Sequence, residues 1–570
     1  VSATSWPLLA LVQAGAAPAA ARFRAATADV ERAQAVRLRA VLSAVRGSRQ
    51  AQRLGLDRVR TARELRVAAP LCTADTLAPD IEAIARGERQ VLSRDPVLRF
   101  EPSGGSSGPS KLCPMTRPLL GEFQRALWPW LHDLLSRRPA LKRGPSYWSI
   151  SPLGARHGRT AGGVPVGSAE DVSYFPRPLQ PLLARVFAVP GAVAALPDVE
   201  SCRYATLRCL AAAGDLAFVS VWNPSFLTLL LQDLDAHAGR LAADLERGGC
   251  RPPDRADLSS AENRDRRDRI DAVLARAAFG TRPDRARILA EATSPVSGVV
   301  DALRLWPRLA LVSLWTDAQA ARTLGPVRAR LPGVELQGKG LLATEGVVSI
   351  PLCDAPAPVL AVRSHFYEFL DDGGAARGAH ELLAGQSYEV VITTSGGLLR
   401  YRMGDRVEVQ GFLGEAPCLR FLGRADRVSD LVGEKLADAR VGAVLTAALA
   451  RTGADTRPAF AMMAPEWSSP PAYHLFLEWE APDAALAEAA GAVEAALGES
   501  HSYRYARELG QLGPVRVVRV VAGARRYEAR CVTLGQRAGD VKPVDLHHQA
   551  GWLAHFGGQP VVAEGRRAAG

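Results

Sequence analysis

Lysine is nearly missing from this chain. Its 570 residues include 70 lysines and arginines, and only five are lysine: Lys111, Lys142, Lys339, Lys435 and Lys542. Arginine does almost every generic basic job. A lysine that persists against this bias marks a place where a compact charge on a flexible stem serves and a planar guanidinium fork does not. Cysteine is sparse as well, with eight residues, no CxxC pair and no histidine-rich cluster. That pattern excludes a zinc-finger framework and a disulfide scaffold, and it reads as a reduced, cytoplasmic protein. No apolar run reaches the ~18 residues that a membrane helix needs. A basic stripe studded with aromatics is also missing. The net charge of +11 is dispersed among acids, as in RDRRDR at 264–269. This argues against a nucleic-acid partner and leaves anionic small molecules.

What is present suits a globular protein of more than one domain: 48% hydrophobic and 23% charged residues over a length too great for one ordinary core. Residues 6–20 imitate a signal peptide but lack a preceding positive region, so they are expected to form an amphipathic first helix. Beyond them, short apolar runs alternate with helical segments. YWSIS (147–151), LAFVSVW (216–222), LALVSLW (309–315), GVVSIPL (346–352) and YEVVITT (388–394) read as strands. Stretches 225–246, 270–279 and 317–330 read as helices. The polar stretch 249–269 is expected to be an exposed connection. The alternation predicts an α/β fold with substantial sheet. From about 425 the pattern shifts to helices near 437–451 and 483–497 with strands near 473–479 and 514–521, a smaller α+β unit. The expected domains are therefore 1–424 and 425–570.

Four segments carry chemistry. EPSGGSSGPSKLCP (101–114) is a Gly/Ser loop ending in Lys111. It is either a phosphate cradle or a flexible linker, and the residues around the lysine do not match a Walker A loop. A strong helix follows, with Thr116 as its cap, and its N-terminus is expected to meet the loop and face an anion. LLATEG (341–346) offers Glu345, a hard oxygen for a hard cation. YRMGDRVEV (401–409) puts Asp405 after a glycine, where a turn is expected. Asp405 then either accepts ribose hydroxyls or salt-bridges a hairpin. GDVKPVDL (539–546) holds Lys542 before a proline, in a stiff, extended stretch.

In this order the segments resemble the adenylate-forming, firefly-luciferase-like superfamily: a Ser/Gly loop ending in lysine, a Thr-Glu segment, a YRxGD turn, the GRADR stretch (423–427, with Asp426), and a late lysine. FEPSGGSSGPSKLCP, SVWNPSFLTLLL (220–231), LWPRLALVSLWTDAQAA (305–321), YEVVITTSGGLLRYRMGDRVEV and HSYRYARELGQLGPVRV (501–517) narrow this further. Over residues 95–550 the chain is similar to a bacterial member of the auxin-responsive Gretchen Hagen family of acyl-acid amido synthetases.

The resemblance implies a large N-terminal domain and a small mobile C-terminal one, hinged near 424–430. It implies activation of a carboxylic acid with ATP and Mg2+ to an acyl-adenylate, then transfer to an amine, often an amino acid. Ser103, Gly104, Ser106, Ser107 and Lys111 would hold phosphates. Glu345 would hold magnesium, and Asp405 the ribose. Leu341, Thr344, Tyr401 and Arg424 would complete the nucleotide site, and Lys542 would reach the α-phosphate from the small domain. Trp222, Asn223, Pro224, Phe226 and Trp315 would line the acid pocket or else pack a core. Tyr147 and Trp148 are weaker candidates of the same kind. Lys435 is expected at the surface, and Lys142 and Lys339 in structural roles. Two positions depart from the plant pattern: Gly105 stands where threonine is usual, and Leu341 where a tyrosine would stack on adenine. The alternative acceptor is the thiol of coenzyme A or of a carrier protein. None of the ten histidines stands out as a base.

Overall fold

The computed structural model describes residues 2–102, 112–149, 158–167, 180–253, 261–277, 279–424, 428–451, 457–534, 536, 538–558 and 561. The first helix, Ser2–Thr27, lies along the helix Arg117–Arg137. Lys142 has the expected structural role there: its Nζ donates to Gln13 Oε1 at 2.8 Å.

Strands β1 (Val97–Pro102) and β2 (Leu112–Thr116) form an antiparallel hairpin. Thr116 caps the following helix, its Oγ1 accepting from the Leu119 N–H at 3.4 Å. The cap matches expectation, but the junction does not. All of β2 stands between Lys111 and the helix, because Leu112–Thr116 finds a ladder partner in Val97–Pro102.

A four-stranded parallel sheet follows, with β3 (Ser146–Trp148), β4 (Phe218–Ser220), β5 (Leu311–Leu314) and β6 (Glu335–Gly338) in sequence order. Residues of β4 and β5 are all buried. Parallel strands covered on both faces read as unbroken apolar runs, which is why these were legible. Helices Val199–Ala212 and Pro224–Arg247 supply crossovers. Part of the polar stretch 249–269 is not a loop, since Ala261–Arg276 is helical. Residues 263–269 are all polar, with i,i+4 ion pairs of Asp265 with Arg269 at 3.0 Å and Arg267 with Asp271 at 3.5 Å, while Ile270 and Leu274 anchor the rest of the helix in the core.

An antiparallel sheet of seven strands comes next: β7 (Ser349–Ile350), β8 (Val359–Leu360), β9 (Phe366–Leu370), β10 (Ala376–Gly378), β11 (Ser387–Thr393), β12 (Tyr401–Leu413) and β13 (Ala416–Arg424). The smaller domain has a hairpin of β14 (Val428–Ser429) and β15 (Leu436–Ala437). It also has a three-stranded sheet of β16 (Phe460–Glu466), β17 (Ala472–Glu478) and β18 (Arg516–Arg519). Helices Asp438–Arg451, Asp483–Leu497 and Gly523–Thr533 accompany that sheet. The architecture is thus α/β with a large N-terminal and a smaller C-terminal domain. No helix of the described residues is long and apolar enough to cross a membrane.

Candidate active site

Side chains gather beyond the carboxyl ends of the parallel strands, the edge where open α/β sheets hold ligands. Just past β4 stands Trp222, just past β5 Trp315, and just past β6 Lys339. The Trp315 N–H donates to the Trp222 carbonyl at 2.8 Å, and the half-buried indoles meet at 5.6 Å between centroids, tilted by 45°. Each ring carries a lysine. Lys339 Nζ lies 4.8 Å from the Trp222 ring centre and donates to Ser220 Oγ at 2.7 Å. Lys542 Nζ, from the small domain, lies 4.7 Å from the Trp315 ring centre. Trp148 stands at the end of β3, against Trp130 with centroids 6.1 Å apart.

The other residues expected beside these tryptophans do different work. Asn223 is buried; its Oδ1 accepts from the Ser225 N–H at 3.0 Å to cap the helix, and its Nδ2 donates to the Val541 carbonyl at 2.8 Å. Pro224 is the first residue of that helix, where a missing N–H is harmless. Phe226 is buried in the core, with the Arg203 guanidinium 5.7 Å from its ring centre. Lys435 is exposed, as expected.

Thr344 and Glu345 form the tip of a tight turn. Ala343 and Gly346 exchange backbone bonds of 3.0 and 3.2 Å around them. Leu341 is half-buried, and its N–H donates to Ser349 Oγ at 2.9 Å. The turn is braced from behind. His365 Nε2 accepts from the Val347 N–H at 3.0 Å, and its Nδ1 meets Glu122 Oε2 at 2.9 Å. An Nε2 that accepts places the ring proton on Nδ1, which therefore donates to Glu122. Glu122 is fully buried and also receives Arg37 at 2.8 Å and Ser395 Oγ at 2.7 Å. Burial alone would push the Glu122 carboxyl up, but His365, Arg37 and Ser395 outweigh it and hold the group below the usual carboxylate range. Sequence reading missed this brace: its members lie far apart in the chain and match no motif.

Asp405 does not sit in a turn. It lies inside β12 opposite Arg424, with a 3.6 Å ion pair between them. Val391 pairs with Arg402 but Glu389 with Arg406, so β12 bulges between these points. Gly404, at φ +76°, accommodates the bulge without reversing the chain. Burial pushes the Tyr401 phenol up, and Glu345, Cys113 and Cys72 add to this while Arg424 opposes it. Burial likewise raises the Cys113 thiol, reinforced by Glu345 and Glu101. The hairpin mouth, the Glu345 turn and the β12–β13 pair thus share one neighbourhood. Asp317, just past β5, accepts from the Phe421 N–H at 3.2 Å and ties that neighbourhood to the parallel sheet. Ser103, Gly104, Ser106, Ser107 and Lys111 lie outside the described residues, as do Gly105 and Asp426.

The small domain is docked by ion pairs as well as by Asn223. Arg203 bonds Glu528 Oε1 at 2.6 Å, and Arg525 bonds Asp233 at 2.5 Å. The Tyr527 hydroxyl donates to the Lys542 carbonyl at 2.8 Å. The segment carrying Lys542 is therefore held on both sides.

Known proteins resemble the chain in sequence and in fold. The indole-3-acetic acid-amido synthetase GH3.8 of Oryza sativa subsp. indica is 27% identical over 453 residues, covering 76% of this chain and 72% of that one. The indole-3-acetic acid-amido synthetase GH3.3 of Arabidopsis thaliana is 24% identical over 443 residues, covering 73% and 71%. The solved structure of AtGH3.15 acyl acid amido synthetase in complex with 2,4-DB superposes with a TM-score of 0.77 at 21% identity, over 94% of each chain. Family models match in series: the GH3 family central domain at 358–424, its C-terminal domain at 442–549, and its N-terminal domain at 19–330. With the N-terminal model alone spanning more than half of its length, the chain belongs to the GH3 family.

Proposed function

We propose that this protein is an ATP-dependent acyl-acid amido synthetase. The carboxylate oxygen of an acid attacks the α-phosphorus of ATP and pyrophosphate leaves. An amine nitrogen, that of an amino acid in the leading reading, then attacks the acyl carbon and loses a proton, and AMP leaves. The observation that carries this reading is Lys542. A lysine of the small domain stands over Trp315 at the carboxyl edge of the large domain's sheet, where a point charge meets the negative charge that develops at the α-phosphate.

The remaining roles follow from position. Ser103, Gly104, Ser106, Ser107 and Lys111, between β1 and β2 in the chain, would cradle the phosphates. Glu345 would hold magnesium. The fit is chemical: a hard carboxylate at a turn tip, with the substrate phosphates supplying further oxygens. Among the described residues no group of three or more His, Cys, Asp or Glu could hold a metal, so the ion would rest on Glu345 and the nucleotide together. Tyr401, Thr344 and Leu341 would border the nucleotide, and the Asp405–Arg424 pair would meet its ribose. Trp222 and Trp315 would take the flat body of the acid. The domains would divide at 1–424 and 425–570. Rotation about 424–430 would withdraw Lys542 and admit the amine. Eight free thiols suit a reducing cytoplasm, and a bacterial source is part of this reading.

The test is ATP–pyrophosphate exchange over a panel of carboxylic acids, followed by incubation of the best acid with amino acids or coenzyme A and mass spectrometry of the products. Acid-dependent exchange with an amide product supports the reading. Exchange with a thioester product would transfer the chain to the coenzyme A class, and no exchange with any acid would sink the adenylation step.

A further inference from the structure

We propose that a small polyanion binds where the first helix, the helix Val30–Val45 and the helix Arg117–Arg137 meet segment 362–365, held by the guanidinium groups of Arg22, Arg125 and Arg363. This goes beyond the amido synthetase reading and does not rest on it.

Arg37 and Glu122 fix the junction. Arg37, on the helix Val30–Val45, donates from Nη2 to Glu122 Oε1 at 2.8 Å and from Nε to the Ser364 carbonyl at 3.0 Å. Ser364 Oγ donates to the Glu122 carbonyl at 2.7 Å. Gln34 Nε2 donates to the carbonyls of Val362 and His365 at 2.8 and 3.1 Å. Arg363 therefore stands on a backbone that is pinned on either side. Arg125 follows Glu122 by three residues on the helix Arg117–Arg137 and so shares its face. Arg22 approaches from the first helix, which lies along that one.

These three guanidiniums lack a counterion among the described residues. Arg125 and Arg363 are half-buried, and Arg22 is exposed. Arg125 Nε is buried without a hydrogen-bond partner. Burial, Arg22 and Arg37 all push the Arg363 guanidinium below its ordinary value, and no carboxylate of the described residues opposes them. Burial and Arg37 push Arg125 down to about 10, with Arg363 adding to this and only Glu122 opposing. Glu122 is already bonded by Arg37, His365 and Ser395. Partly dehydrated charges of one sign are costly side by side and useful where an anion completes them. Guanidinium forks match phosphate and carboxylate oxygens in pairs, and three of them suit an anion of about three charges over a single carboxylate. Pyrophosphate and a tricarboxylate share that chemistry.

The test is titration calorimetry of the full chain without magnesium, with a non-hydrolysable ATP analogue at saturation so that the proposed nucleotide site is filled. Pyrophosphate, tricarballylate and acetate are titrated in turn. A polyanion is expected to bind on the order of tenfold tighter than acetate, as charge matching requires. Tighter pyrophosphate assigns the site to phosphate chemistry, tighter tricarballylate to carboxylate chemistry, and either supports the site. Arg363→Gln is expected to weaken that binding on the order of tenfold to a hundredfold, the range of a hydrogen bond to a charged group. Arg32→Gln, at an exposed position on the helix of Arg37, is expected to leave it nearly unchanged. Polyanions that bind no tighter than acetate overturn the proposal. So does a loss in Arg32→Gln as large as that in Arg363→Gln, since it marks diffuse charge. Melting of Arg125→Met, which keeps the apolar stem, is a second readout. Relief of an unmatched charge predicts a melting temperature at or above that of wild type and a smaller rise on adding polyanion. A lower melting temperature, or a rise with polyanion equal to that of wild type, overturns the assignment.

Discussion

Lys542 and Glu122 show two ways in which one residue can matter. Lys542 is exposed, and in the proposed reaction it would contribute charge rather than packing. Lys542→Ala is expected to lower the exchange rate about 10²–10³-fold, the cost of losing one charge-stabilising group, with melting temperature nearly unchanged. Exchange that persists at the wild-type rate would remove Lys542 from the site. Glu122 is the opposite case, since it is fully buried and holds His365, Arg37 and Ser395 at once. Glu122→Ala leaves buried partners without their anion and is expected to cost about 3–5 kcal/mol in urea unfolding. The pH dependence follows from the depressed carboxyl. The stability it contributes is present above its ordinary unfolded value and is lost as pH falls through the lower folded value. Acid melts of wild type should therefore steepen below about pH 4, and Glu122→Gln should flatten that limb.

At the scale of elements, the turn carrying Thr344 and Glu345 depends on a glycine for packing space. A Cβ at Gly346 would sit 2.6 Å from His365 Nε2, inside a ring that Glu122 and the Val347 N–H hold in place. Gly346→Ala is expected to cost about 1–3 kcal/mol as overpacking and to displace Glu345 with the turn. Exchange kinetics against magnesium concentration would read this as a raised metal requirement. An unchanged requirement would separate the turn from the metal. The helix Ala261–Arg276 gives a different lesson at this scale, because its polar first half hid a helix that Ile270 and Leu274, one turn apart, tie to the core.

For the whole molecule, the docked small domain is a balance between buried ions and their desolvation. Burial raises the Glu528 carboxyl even though Arg203 acts to lower it. Arg203→Met would leave that carboxyl with the weaker neighbour Arg525 and loosen the face that presents Lys542. In a double-mutant cycle with Glu528→Met, exchange rates are expected to show a coupling of about 1–3 kcal/mol. Additive effects would mean that the pair does not hold the docked arrangement.

Much of the architecture was legible because local physics sets it. Unbroken apolar runs become buried parallel strands, and Thr116 caps a helix. The positions of Trp222 and Trp315, just after such strands, were legible for the same reason. Asp405 was misplaced because a glycine with positive φ suits a bulge as well as a turn, and only the β11 and β12 ladders choose between them. The contacts of Lys339, expected only in a structural role, were not legible, because Trp222 and Ser220 lie 117 and 119 positions earlier and only crossover connections bring them alongside. Local pattern was enough for which residues are scarce, which apolar runs become buried parallel strands, and which chemistry the motifs carry. Tertiary structure alone decided which lysine stands over which tryptophan and what braces Glu345, because register and crossovers set those distances and no local pattern records them.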